Sequence, residues 1–159
     1  MRVRPLTEGP SKAEVDGLIA VPKLLLRLPL PRLKNGCLRM RTDRIYWSNG
    51  QQTGLLVDAH VPAKTPRRGT TPQVALVWRN ENVRCIDWKL RRPFADGTVV
   101  EGWHEHLWDE QNGRELGVPF PAPVYGSDDL EVMFVVACQH WGIHIRGRDD
   151  QVLRLRGDE

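Results

Sequence analysis

The stretch VRCIDWKLRRPFADGTVVEGWHEHLWD, residues 83–109, decides how this chain folds. Residues 83–89 and 98–108 are rich in Val, Ile and Trp and alternate in polarity. They flank Asp96-Gly97, a dipeptide whose glycine accepts the positive φ of a hairpin turn. The two segments therefore read as the arms of an antiparallel ribbon. Side chains on a strand alternate between faces, so His104 and His106 emerge on one side, roughly 7 Å apart along the chain, with Trp103 and Glu105 on the other.

Working outward, Cys37-Leu38-Arg39-Met40-Arg41 and Arg44-Ile45-Tyr46-Trp47 also alternate and read as hairpin strands, with turns at Asn35-Gly36 and Asn49-Gly50. Residues 53–61 and 74–79 supply two further strands, separated by the basic loop Lys64-Thr65-Pro66-Arg67-Arg68-Gly69. The leucine-rich basic segment 24–33 contains Pro29 and Pro31. A proline cannot donate to a ladder, so the segment suits an edge strand and not a central one.

Ser11-Lys12-Ala13-Glu14 is a capping box, predicting a short helix over about residues 12–20 with Val15, Leu18 and Ile19 turned inward and Pro22 as its stop. Ser127 opens a longer helix over about residues 128–141. Asp128, Asp129 and Glu131 lie at its positive end, Leu130, Met133, Phe134, Ala137, Cys138 and Trp141 form one stripe, and Gly142 ends it. The expected class is α+β: a single antiparallel sheet of about five or six strands with one long C-terminal and one short N-terminal helix packed on it. Residues 1–10 read as a mobile arm, 11–156 as one domain, and 152–156 as an added edge strand.

Composition is that of an ordinary globule, 40% hydrophobic and 27% charged, and 159 residues suffice to bury roughly 70% of the unfolded surface without a disulfide or metal. No apolar run approaches the length of a membrane span, so no membrane partner is expected. Residues 1–10 lack the apolar core of a secretory leader, and three cysteines (Cys37, Cys85, Cys138) cannot all pair; a cytoplasmic location follows as the expectation. The net charge of +3 conceals an asymmetry: residues 1–92 carry 18 Lys and Arg against 7 Asp and Glu, whereas residues 93–159 carry 5 against 13. A basic first half suits phosphate backbones, and an acidic second half suits a basic protein partner.

Several chemistries fit the residues of the ribbon. His104 and His106 sharing a face could hold a divalent metal such as zinc if His140, His144, Cys138, Cys85, Asp87 or Asp109 completed the set. The same pair, with Asp87, could act as acid and base in RNA cleavage, Lys89, Arg91 or Arg92 neutralising the phosphate. Asp87-Trp88-Lys89 also has the D-x-K form of metal-dependent nucleases, with Asp58 as an upstream carboxylate. For each, the bland alternative is a structural strand residue. Six tryptophans interleave with arginines; most belong in the core, and Trp47 and Trp88 are the two expected partly exposed, where they could stack on unpaired bases.

Asp87, Asp96-Gly97-Thr98, Gly102, His104, His106 and Asp129-Leu130 stand at spacings that resemble a family of small uncharacterised prokaryotic proteins with a D-G-T-x-x-x-G-x-H-x-H hairpin motif. The likeness runs over about residues 86–145. It implies no activity, only a setting in toxin-antitoxin, phage-defence or counter-defence systems. The chain departs from that pattern at Arg92, where a histidine is usual, and at Phe94-Ala95, in place of Asn-Pro.

These readings converge on a nucleic-acid-interacting protein, RNA before DNA, with a ribonuclease-like site at His104, His106 and Asp87. Its phosphate contacts are Arg67, Arg68, Arg79, Lys89, Arg91, Arg92 and Trp88, and no cofactor is required. The alternatives are a non-enzymatic protein that docks a partner on its acidic half, and a small metal-binding domain built on His104 and His106.

Overall fold

The computed structural model describes Val3 and residues 11–61, 71–120 and 129–147. The basic loop with Arg67 and Arg68, the Ser127 cap, the strand expected at 152–156 and the rest of the N-terminal arm lie outside the described residues.

The architecture is mostly β and corrects the expectation of a single five- or six-stranded sheet with one long helix. Among the described residues, ten strands form a seven-stranded antiparallel sheet and a separate three-stranded sheet, beside two short helices. The larger sheet runs in the order β2 (Arg32–Lys34), β3 (Cys37–Thr42), β5 (Leu55–Val61), β6 (Gln73–Trp78), β7 (Glu81–Pro93), β8 (Val99–Asp109), β9 (Arg114–Pro119). The smaller sheet places β1 (Lys23–Leu25) between β4 (Ile45–Tyr46) and β10 (Ile143–Ile145).

Two local readings fail for the same reason, which is that pairing is not a local property. Residues 37–41 and 44–47 are not hairpin partners: β3 pairs with β2 and β5, while β4 crosses to β1 in the other sheet. Segment 24–33 is not only an edge. Its start joins the central strand β1, with Pro22 and Pro29 falling outside the three paired residues. The strand β9 was not foreseen, because Gly117 and Pro119 interrupt the alternation that marks a strand.

The local signals hold. Helix α1 (Lys12–Ala20) is closed by the Ser11–Glu14 capping box, with both reciprocal hydrogen bonds present. The Asn35-Gly36 turn takes φ of 51° and 75°, positive at both positions as a two-residue hairpin requires. Helix α2 (Leu130–His140) is eleven residues long and is capped by Asp129, whose carboxylate accepts from the Val132 N–H at 3.1 Å.

The predicted stripe of α2 is buried, and so are Val135 and Val136, so the middle of this helix has no wet face. It rests on β3, β5 and β6, and a single core joins it to Met40, Val57 and Leu76 of the large sheet and to Leu25, Ile45 and Ile143 of the small one. Lys23 is drawn into this region. Its ammonium donates to Leu18 O and Val21 O at 2.6 Å each, closing the C-terminal end of α1. Burial pushes its pKa down to about 8.

All of this packing engages one face of the large sheet. On the other, a small cluster of Val3, Ala75 and Cys85 is flanked by Val77 and Trp108. Val3, in the stretch expected to be a mobile arm, is 3% exposed. Among the described residues no helix is long and apolar enough to cross a membrane.

Candidate metal centre

The ribbon forms with the expected turn, and its register sets Cys85 opposite His106 and Asp87 opposite His104. Asp87, His104 and His106 therefore share one face of two adjacent strands, the face turned away from α2. All three side chains are fully buried, at 0% exposure. One ligand atom from each lies within 4.8 Å of the others.

The partners of the two rings fix their chemistry. His104 Nδ1 lies 2.9 Å from Gly102 O, and His106 Nδ1 lies 3.2 Å from Glu115 Oε1. Both partners only accept, so each Nδ1 carries the proton and each Nε2 is left to face Asp87. His106 Nε2 lies 3.0 Å from Asp87 Oδ1 in hydrogen-bonding geometry, which requires a doubly protonated ring. His104 Nε2 stands closer to the same oxygen, at 2.6 Å, but off the direction a hydrogen bond needs. His104 Nε2 and Asp87 Oδ2 are both buried with no hydrogen-bond partner.

Burial by itself would raise the Asp87 carboxyl, but the two imidazoles beside it hold it well below the usual carboxylate range. Burial likewise opposes charge on His106, and its hydrogen bonds to Asp87 and Glu115 overcome that and raise its pKa. Glu115 is buried enough to be pushed up, yet His106, the Val3 N–H and Arg92 bring it below its ordinary value. Arg92 donates to Glu115 Oε1 at 2.9 Å, and the Val3 N–H donates to Oε2 at 3.0 Å.

A roof completes the site. Phe94 meets His104 and His106 edge-on, with ring centroids 6.0 and 5.4 Å away, and the Arg92 guanidinium lies 5.0 Å from the Phe94 centroid. This needs a glycine beneath it: a Cβ on Gly117 would come within 2.1 Å of the Phe94 ring. Phe94, with Arg92 against its ring, thus covers the cluster.

The other donors proposed from sequence do not converge here. His140 Nε2 and Trp141 Nε1 bind the two oxygens of Glu105, at 2.9 and 2.7 Å, on the opposite face of β8. Cys138 belongs to α2, His144 is exposed on β10, and Asp109 holds Asn112 in the turn before β9. Cys85 lies beside the cluster, where burial pushes its thiol strongly up. Asp58 is taken by Arg39, at 2.8 Å, which leaves Asp87-Trp88-Lys89 without its upstream carboxylate.

Among the expected phosphate contacts, Lys89 and Arg91 are exposed, Trp88 is 39% exposed, and Arg79 stacks 4.6 Å from the Trp78 ring in a turn. Arg92 is instead committed to Glu115. With both imidazoles sealed, no phosphodiester reaches them in this conformation. Phe94, Glu115 and Gly117 escaped the sequence reading. For Glu115 and Gly117 the one signal available was their alternate spacing on an unrecognised strand, where they stand opposite Trp108 and His106.

Comparison with family profiles, curated proteins and solved structures gives no match, so the site is read from its own geometry.

Proposed function

We propose that this chain is a metal-binding protein whose ion is held by Asp87, His104 and His106. The observation that carries this reading is a cluster whose three ligand atoms lie within 4.8 Å of one another and in which two buried atoms, His104 Nε2 and Asp87 Oδ2, have no hydrogen-bond partner. A buried polar atom without a partner costs about 1–3 kcal/mol, and a cation satisfies both at once. The surroundings support it. Each ring donates its far nitrogen to a fixed acceptor, Gly102 O or Glu115, as metal-bound imidazoles do to hold tautomer and orientation.

Two imidazoles and one carboxylate suit zinc or ferrous iron. Bonds of about 2.0–2.1 Å set tetrahedral donors roughly 3.3 Å apart. Asp87 Oδ1 now lies 2.6 and 3.0 Å from the two nitrogens, so a small swing of the carboxylate makes the room. Three protein ligands leave one position open for water or a small ligand, the arrangement of catalytic and not of structural zinc.

Elemental analysis of protein purified without chelator tests the proposal, with one zinc or iron per chain expected. Titration of chelated protein with Co(II) should give visible bands that are absent from His104→Ala and Asp87→Asn. Failure of the wild-type protein to take up any of these metals overturns the reading.

A further inference from the structure

We propose a second, independent site: a cleft that binds the phosphate backbone of single-stranded nucleic acid. Its volume is about 840 Å³, and it lies between the segment joining β1 to β2, the edge of the large sheet, and β4 of the small one. Arg27, Arg32, Lys34, Arg41 and Arg44 line it, all exposed, against the single acidic lining residue Asp43. The sixth cation, Arg39, is already neutralised by Asp58. None of the five belongs to the set expected from sequence.

The chemistry of the lining selects the ligand. Five cations with no ion pair among the described residues, from the β1–β2 segment, β2, β3 and the turn before β4, converge on one concavity, which favours a flexible polyanion that can enter it. Four of the five are arginine, whose planar fork pairs two phosphate oxygens at once. A flat anionic bilayer would meet only the rim of such a cleft. The floor adds Leu28, Leu56 and the half-buried Tyr46, which offer faces to unpaired bases but no room for a duplex.

Fluorescence anisotropy with a labelled oligouridine tests the site on the full chain, beside the matching duplex, an acidic peptide and phosphatidylserine vesicles. With about three phosphates neutralised, affinity should fall about 20-fold between about 50 and about 200 mM salt. Arg41→Ala with Arg44→Ala should weaken binding about 10-fold and flatten the salt slope. Lys89→Ala with Arg91→Ala, on the distant ribbon, should change neither. Chelator should leave the affinity intact, which separates this site from the metal centre. Four results overturn the proposal: no binding at low salt, binding that survives the Arg41 and Arg44 changes, loss through the Lys89 and Arg91 changes, or preference for the duplex, the peptide or the vesicles.

Discussion

The two faces of the seven-stranded sheet solve burial in opposite ways. Towards α2, the sheet presents Met40, Val57, Leu76 and Ile86, and stability there comes from removing apolar surface from water. On the reverse face, behind Phe94, it buries a carboxylate, two imidazoles and the Glu115–Arg92 pair. These groups gain from burial only while each is partnered. The first face tolerates loss of shape gradually, whereas the second fails when one charge is left alone. This contrast is what marks out the Asp87 cluster as the candidate metal centre.

That contrast can be broken by mutation. Phe134→Ala should have the largest effect, about 4 kcal/mol by denaturant unfolding, through lost transfer energy and a cavity, with metal content unchanged. Asp87→Ala should cost about 3 kcal/mol, because the His106 imidazolium loses its buried counter-ion, and here bound metal should vanish as well. If Asp87→Ala leaves stability and metal content untouched, the reverse face is not electrostatically held and the comparison collapses. Gly117→Ala should cost about 2 kcal/mol by driving Phe94 off the rings; proton exchange at the imidazoles, followed by NMR, should accelerate.

The smallest effect sharpens the comparison through pH. In metal-free protein the pKa of His106 is raised above 6.5, so its contribution is complete below that value and is lost as pH rises through the folded pKa. Stability should therefore decline on going from about pH 6 to about pH 8. Lys23 acts in the other direction only above that window, since its folded pKa of about 8 lies under the unfolded 10.5 and stability from it grows between the two. His106→Gln should abolish the decline, measured by thermal unfolding at each pH; a decline of equal size in the variant assigns it elsewhere.

What the sequence disclosed follows from how far each signal reaches along the chain. The Ser11–Glu14 box, the inward stripe of α2 and the Asp96-Gly97 turn are local, and each formed as read. The shared face of His104 and His106 is also local, and it too was legible. Asp87 stood among several candidate third donors, because cross-strand register, not spacing, chooses between it and Cys85 or Asp109. The roof was hidden, since Phe94 reaches Gly117 only after β9 has joined the sheet. The cationic cleft was hidden for the same kind of reason: it is made by strands that part company into different sheets.

The parallel pairing of β1 with β10 also bears on how the protein is made. Lys23 emerges from the ribosome early, but its neighbour Ile143 arrives only after both sheets' other strands have been synthesised. Through most of translation the leucines beside Lys23 wait without their last companion strand. The small sheet is therefore completed only once residues 143–145 have been made.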